Sequence, residues 1–362
     1  MKNNRYSSLD GLRAYAAIGI VIMHVLANLI VVPEKNFLYG TVIPSLTNFV
    51  YLFFVISAFS MCCGYYERMK VGQVSMNLFY KKRYQRVLPF FALLVLIDCI
   101  VPHGANKHEL STMTEGTVST VSPWLEQLYQ SFADLTLAFN LLPNADIKVI
   151  GVGWFLGLIF LFYMLFPFFV FMMDNKKRAW KSLILMFVFC YVALDYFFTP
   201  QFIDFEVTRH NIIYSAPFFG IGGVIFLYRE SISSIVKKNR HIILILLWIM
   251  TIAYWLVELN CFISVVYTGL LCAIFVIYAI GSDGIVLNNK FTKKLSDLSM
   301  EIYLCHMMCF RAVEIVHLEK HIDQADMLYA VSCFGTLLLA ITFSHIVKYK
   351  VLPKVEPYLF KS

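Results

Sequence analysis

Ten stretches dominated by apolar side chains recur along this 362-residue chain, and each approaches the length that spans a bilayer. A spanning helix needs roughly 20 mostly apolar residues. The stretches fall at about Leu12–Val32, Leu46–Tyr65, Val87–Pro102, Val149–Met172, Leu183–Phe198, Ile212–Tyr228, Ile242–Glu258, Cys261–Gly281, Leu298–Val316 and Met327–Val347. The third and fifth are short, and the break between the seventh and eighth is narrow. Charged residues make up only 15% of the chain and apolar ones 59%. Soluble domains run near 25% and 45–50%. The composition excludes a disordered chain, a coiled coil and a disulfide scaffold, and argues against a soluble enzyme. The expected fold class is therefore all-α, a polytopic membrane protein of about ten transmembrane helices. The first stretch is too long for a signal-peptide core and lacks a convincing cleavage site before Val32-Pro33, so it is expected to be retained.

The basic residues test that count. They gather at the N-terminus (Lys2, Arg5, Arg13), between the second and third stretches (Arg68 to Arg86), between the fourth and fifth (Lys176 to Lys181), and between the sixth and seventh (Arg229 to Arg240). The remainder lie between the eighth and ninth (Lys290, Lys293, Lys294) and in the C-terminal tail (Lys348 to Lys361). These alternate connections hold 24 of the 30 Lys and Arg residues. The positive-inside rule makes this set cytoplasmic, with both termini inside. The net charge of +7 is thereby accounted for by topology, and no nucleic-acid partner is expected.

The long connection at about 103–148 is then external. Ser122-Pro123 reads as a helix start, and Leu125, Leu128, Phe132, Leu135 and Phe139 follow as a helical apolar stripe. That pattern predicts an amphipathic helix lying on the outer membrane face. The loop contains no Cys, so no structural disulfide is expected in it. The nine Cys residues lie almost wholly in apolar stretches, where the thiol behaves as a small hydrophobe. No repeat or linker divides the chain, and residues 1–362 read as a single membrane domain.

Ionisable residues inside spans are costly and mark functional candidates. His24, Asp98, Asp195, Glu301, His306, Arg311, Glu314 and His345 are in this position. His24 follows Arg13 by 11 residues, roughly 16 Å of helix rise, so an Arg13 at the cytoplasmic edge puts His24 deep in the bilayer. A lone buried His is ordinarily a packing residue, yet neutral imidazole can also take a proton. A second unusual feature lies before the third span. Ser75 is placed to cap a short helix over Met76–Arg83, with Pro89 opening the span. Arg83 and Arg86, three apart on one face, can form an anion site or simply anchor the helix at the membrane edge.

Five segments, in order, carry a resemblance. They are Tyr6-Ser7-Ser8-Leu9-Asp10-Gly11-Leu12-Arg13-Ala14 with ten residues between Arg13 and His24; Phe53-Phe54-Val55-Ile56-Ser57-Ala58-Phe59; and Arg83-Tyr84-Gln85-Arg86. The fourth is Trp154-Phe155-Leu156 with Tyr163 and Pro167, and the fifth Leu298-Ser299-Met300-Glu301-Ile302-Tyr303-Leu304-Cys305-His306. Together they resemble the acyltransferase 3 family of bacterial integral-membrane acyltransferases, over nearly the whole chain. The resemblance implies a multi-pass protein of the bacterial plasma (inner) membrane that moves an acyl group, most often acetyl, from acyl-CoA to a hydroxyl. The acceptor would be a cell-envelope sugar, polysaccharide or lipid-linked glycan.

It also implies that His24 is the catalytic base, with Arg13 partnered to it in the same motif and Asp10 a further catalytic candidate there, and that Arg83 and Arg86 contact the phosphates of the donor, expected to be acetyl-CoA. Asp10 lies 14 residues before His24, roughly 21 Å along a helix, so it is a poor direct partner for it. Glu301 and His306 are open possibilities for that partner. Ser57, Trp154 and Tyr303 are supporting candidates; Ser57, Tyr303 and His306 can orient groups or stabilise an oxyanion, or equally serve packing. No metal is expected. A homo-oligomer or an envelope-synthesis complex is compatible with the sequence. Many relatives carry a Glu a few residues after the fourth-span Trp, where this chain has Ile159 and Phe160. Some carry a fused extracytoplasmic domain, and none is expected here. The rival reading is a transporter or exporter of a polysaccharide or envelope precursor. Neither an inverted repeat nor paired Gly/Pro-broken spans support it.

Overall fold

The computed structural model describes residues 6–100, 131–137, 151–197, 210–257, 259–282 and 284–359. Among the described residues every regular element is a helix. The principal helices are α1 (Ser7–Asn28), α2 (Leu38–Lys70), α3 (Met76–Ile100), α4 (Trp154–Met172), α5 (Lys176–Val192) and α6 (Ile212–Leu227). They continue with α7 (Arg229–Leu256), α8 (Cys261–Gly281), α9 (Lys290–Asp297), α10 (Ser299–Glu314), α11 (Ala325–Ile346) and α12 (Leu352–Leu359). Seven helical runs are long and apolar enough to cross a membrane. The other three predicted spans also coincide with helices. Of these, α6 and α10 have 16 residues each and rise ~24 Å, short of a ~30 Å hydrocarbon core. The third, α3, is long enough but carries Arg83, Arg86 and Asp98.

Asparagine sets several of these starts. The side chains of Asn175, Asn211 and Asn260 accept hydrogen bonds from the backbone N–H of Arg178, Ile213 and Ile263 at 2.8–2.9 Å, which satisfies otherwise orphaned first-turn donors. At α9 the cap is reciprocal: Asn289 Oδ1 accepts from Thr292 N, and Thr292 Oγ1 accepts from Asn289 N.

Contacts divide the chain into two compact units. One comprises residues 1–75 and 165–345, the other 76–164 and 346–362. In the first, α1 lies among α2, α8, α9 and α10. Its buried residues include Ala14, Ala16, Ala17 and Gly19; where every solvent is apolar, small side chains permit close helix packing. The same rule joins α2 to α6. A Cβ on Gly222 would collide with the backbone of Val55 and Phe59. Phe218 stacks on Tyr51 at 4.4 Å between centroids. Around this core, α7 buries only Val236 and Leu247 and exposes Ile245, Trp248, Ile249 and Ile252. So much exposed apolar area suits lipid rather than water.

The second unit corrects one expectation. The predicted short helix over Met76–Arg83 does not stop before Pro89; α3 is one helix from Met76 to Ile100 with Pro89 inside it. Proline removes one backbone donor, but membrane helices re-satisfy the freed carbonyl locally, and Phe90, Phe91 and Leu94 behind it are fully buried. Most of the predicted external loop, including its proposed start at Ser122, lies outside the described residues. Residues 131–135 are helical. There Phe132 is 67% exposed, whereas Asp134 is 1% exposed. Burial first, and the charge of Asp98 second, push the Asp134 carboxyl up to about 7.

Candidate active site

A part-buried polar contact of the first unit joins α1 to α10. His24 Nδ1 lies 3.1 Å from His306 Nε2 and 3.1 Å from the carbonyl oxygen of Ile20, one turn back on its own helix. The rings are 4.9 Å apart and inclined by 40°. His306 is 0% exposed, and its Nδ1 sits 2.6 Å from the carbonyl oxygen of Tyr303. The α1 backbone is pinned nearby, where the hydroxyl of Tyr329 on α11 donates to Ile22 O at 3.1 Å. Asn28 closes the turn beyond by donating to His24 O at 2.8 Å.

Of the supporting residues of the predicted motifs, Tyr303 reaches the histidine pair. Tyr303 is buried and its ring meets His306 at 5.9 Å and Phe53 of α2 at 6.3 Å. Ser57 lies one turn after Phe53 on α2, partly exposed. Glu301 is buried on α10, five residues before His306, roughly 7.5 Å of rise away. His306, one of the two partners left open for His24, lies within hydrogen-bond distance of it. Beyond the pair, at the C-terminal ends of α1 and α10, a small cleft is lined by Leu29, Ile30, Glu314, Glu319, Leu328 and Ser332.

Asp10 and Arg13 belong to a separate junction at the start of α1. Arg13 Nη1 donates to Asp10 Oδ1 at 3.2 Å, and Nη2 donates to Ser60 Oγ of α2 at 2.6 Å. Ser296 Oγ of α9 donates to the same Asp10 oxygen at 3.4 Å. Ser8 Oγ donates to Ser282 O. A Cβ on Gly11 would fall within the backbone of Leu287, so only glycine permits this approach. The junction ties α1 to α2 and α9. It stands 11 helical residues from His24, and Arg13 therefore makes no direct contact with the imidazole.

In the second unit the two arginines are unequal. The Arg83 guanidinium lies 5.6 Å from the Phe79 ring centre and 5.3 Å from that of Tyr163. Arg86 is exposed. Trp154 is buried at the start of α4. One turn and a half further, Ile159 and Phe160 are buried, with Phe160 edge-on to Tyr84 at 4.6 Å. The position where many relatives have a carboxylate is thus filled by apolar packing.

The family model for this acyltransferase domain matches residues 6–345, nearly the whole chain. The chain belongs to the acyltransferase 3 family. It is a multi-pass membrane protein with acyltransferase character. No curated protein and no solved structure matches it. Sequence reasoning about this acyltransferase missed Ser60 and Ser296 as partners of motif residues, and did not pair Tyr163, already in the fourth motif, with Arg83. Ser60 could have been suspected, since it lies on a motif helix one turn from Ser57. Ser296 carries no such signal, because its contact with Asp10 spans 286 residues of chain.

Proposed function

We propose that this acyltransferase is an O-acyltransferase that moves an acyl group, acetyl in the simplest case, from cytoplasmic acyl-CoA to a hydroxyl of a cell-envelope sugar, polysaccharide or lipid-linked glycan. The bacterial plasma membrane is the corresponding location. The observation that carries this reading is the His24–His306 pair, joined across α1 and α10 inside the stretch that the family model matches.

In this reading His24 removes the proton of the acceptor hydroxyl as its oxygen attacks the thioester carbonyl, a general-base step worth typically ~10²–10⁴-fold. The adenosine phosphates of the donor are too charged to enter hydrocarbon and stay at the cytoplasmic edge with Arg83 and Arg86. The mildly polar pantetheine arm carries the thioester inward. The acceptor approaches from the outer end of α1.

The test is mass analysis of envelope glycans from cells lacking the protein and complemented with either wild type or His24→Ala. A mass increment of one acyl group restored by wild type alone is expected, and its size names the group. Purified His24→Ala should still bind acyl-CoA. Acyl-CoA that fails to bind wild-type protein, with envelope glycans unchanged, would overturn the reading and favour an exporter.

A further inference from the structure

A backbone carbonyl oxygen can only accept a hydrogen bond, so a histidine nitrogen that bonds to one must carry the proton. His306 Nδ1 bonds to Tyr303 O. Neutral His306 therefore holds its proton on Nδ1 and its lone pair on Nε2. That lone pair faces His24 Nδ1 at 3.1 Å. A second neighbour of His24 Nδ1 is the Ile20 carbonyl oxygen, also 3.1 Å away and also an acceptor. Each of these two contacts demands a proton on His24 Nδ1.

We propose that His306 is a positioning residue that, by accepting from His24 Nδ1–H, holds His24 in the tautomer whose lone pair is on Nε2, which makes Nε2 the atom that takes the substrate proton. This deepens the acyl-transfer reading and rests on it. The ring in water favours the opposite tautomer, with the proton on Nε2. The Ile20 carbonyl already serves the helix ladder, so a second acceptor on another helix supplies direction that α1 alone does not.

The proton and bond changes balance without any further reactant. The acceptor O–H bond breaks and its proton passes to His24 Nε2. The acceptor oxygen bonds to the acyl carbon, the carbon–sulfur bond of the thioester breaks, and the departing CoA sulfur takes the proton back from Nε2. His306 keeps its own proton throughout. While His24 is an imidazolium, its Nδ1–H bond to His306 becomes charge-assisted and stronger. A carboxylate in the same role would place a permanent charge at a site with no solvent exposure, whereas a neutral imidazole avoids that desolvation cost.

The test uses the full chain in lipid nanodiscs, with ring-¹⁵N histidine and the His24 signals assigned from a His24→Ala sample. The wild type should show a protonated Nδ1 and a bare Nε2 at neutral pH, a readout that needs no turnover. His306→Leu should mix the tautomers and lower kcat by about 10²–10⁴-fold while the donor KM changes less than about twofold. His306→Gln, whose amide oxygen can still accept, should stay within about tenfold of wild type. A protonated Nε2 in wild type, or equal losses in the Leu and Gln variants, would overturn the proposal. Absence of acyl transfer in wild type would instead overturn the function and leave the tautomer readable.

Discussion

Arg83 and Arg86 belong to one motif, yet their surroundings predict different consequences of the same substitution. Arg86 is exposed, so Arg86→Ala removes a free-standing fork and little packing. If the fork holds a donor phosphate, its loss costs about 1.5–3 kcal/mol of donor affinity, which is roughly a 10- to 150-fold rise in Kd. Its effect on stability should stay within about 0.5 kcal/mol. Arg83 differs because its guanidinium lies over two rings, Phe79 and Tyr163. At about 0.5–1 kcal/mol for each cation–π contact, Arg83→Ala should lose about 1–2 kcal/mol of stability in addition to donor affinity. Arg83→Lys keeps a charge but neither stacks as a plane nor offers a fork, and should recover the stability only in part. The assay is calorimetric titration with acyl-CoA in nanodiscs, paired with thermal unfolding of each variant. An Arg86→Ala protein with unchanged Kd would return Arg86 to a membrane-edge anchor. An Arg83→Ala protein as stable as wild type would refute the energetic weight given to the two rings.

Gly222→Ala should destabilise the first unit by about 1–3 kcal/mol, because the neighbours of the new Cβ are largely the backbone of α2; denaturant melting with unchanged stability would contradict the close approach. The raised carboxyl of Asp134 favours the protonated form in the fold. Its contribution is complete below pH ~4 and is lost as pH rises through about 7. Asp134→Asn should therefore gain on wild type across that window and hold a constant lead above it, and parallel melting curves against pH would refute the assignment. Cysteines introduced at Ser119 and at Lys238, in a background without reactive thiols, should label from opposite sides of the membrane; labelling from one side would overturn the ten-span topology.

Helicity and membrane character were legible from the chain alone, because both depend on local composition. A run such as Cys261–Gly281 is apolar throughout, with Asn260 just before it as a cap, and the predicted limits coincide with the helix. The motif residues were legible for a similar reason, since spacing along one helix places Arg13 and His24 on α1 whatever surrounds them. The continuity of α3 was not legible, because Pro89 is an ordinary stop signal in water and is overruled only when the following turns are buried in a packed environment. Nor could spacing say that His24 meets His306, because the rotation of α10 about its axis decides which of its residues faces α1. The unequal fates of Arg83 and Arg86 have the same origin. Local sequence determines which side chains share a helix face, whereas the partner of each buried polar group depends on helix rotation and register, and those are set by packing across residues 282 positions apart.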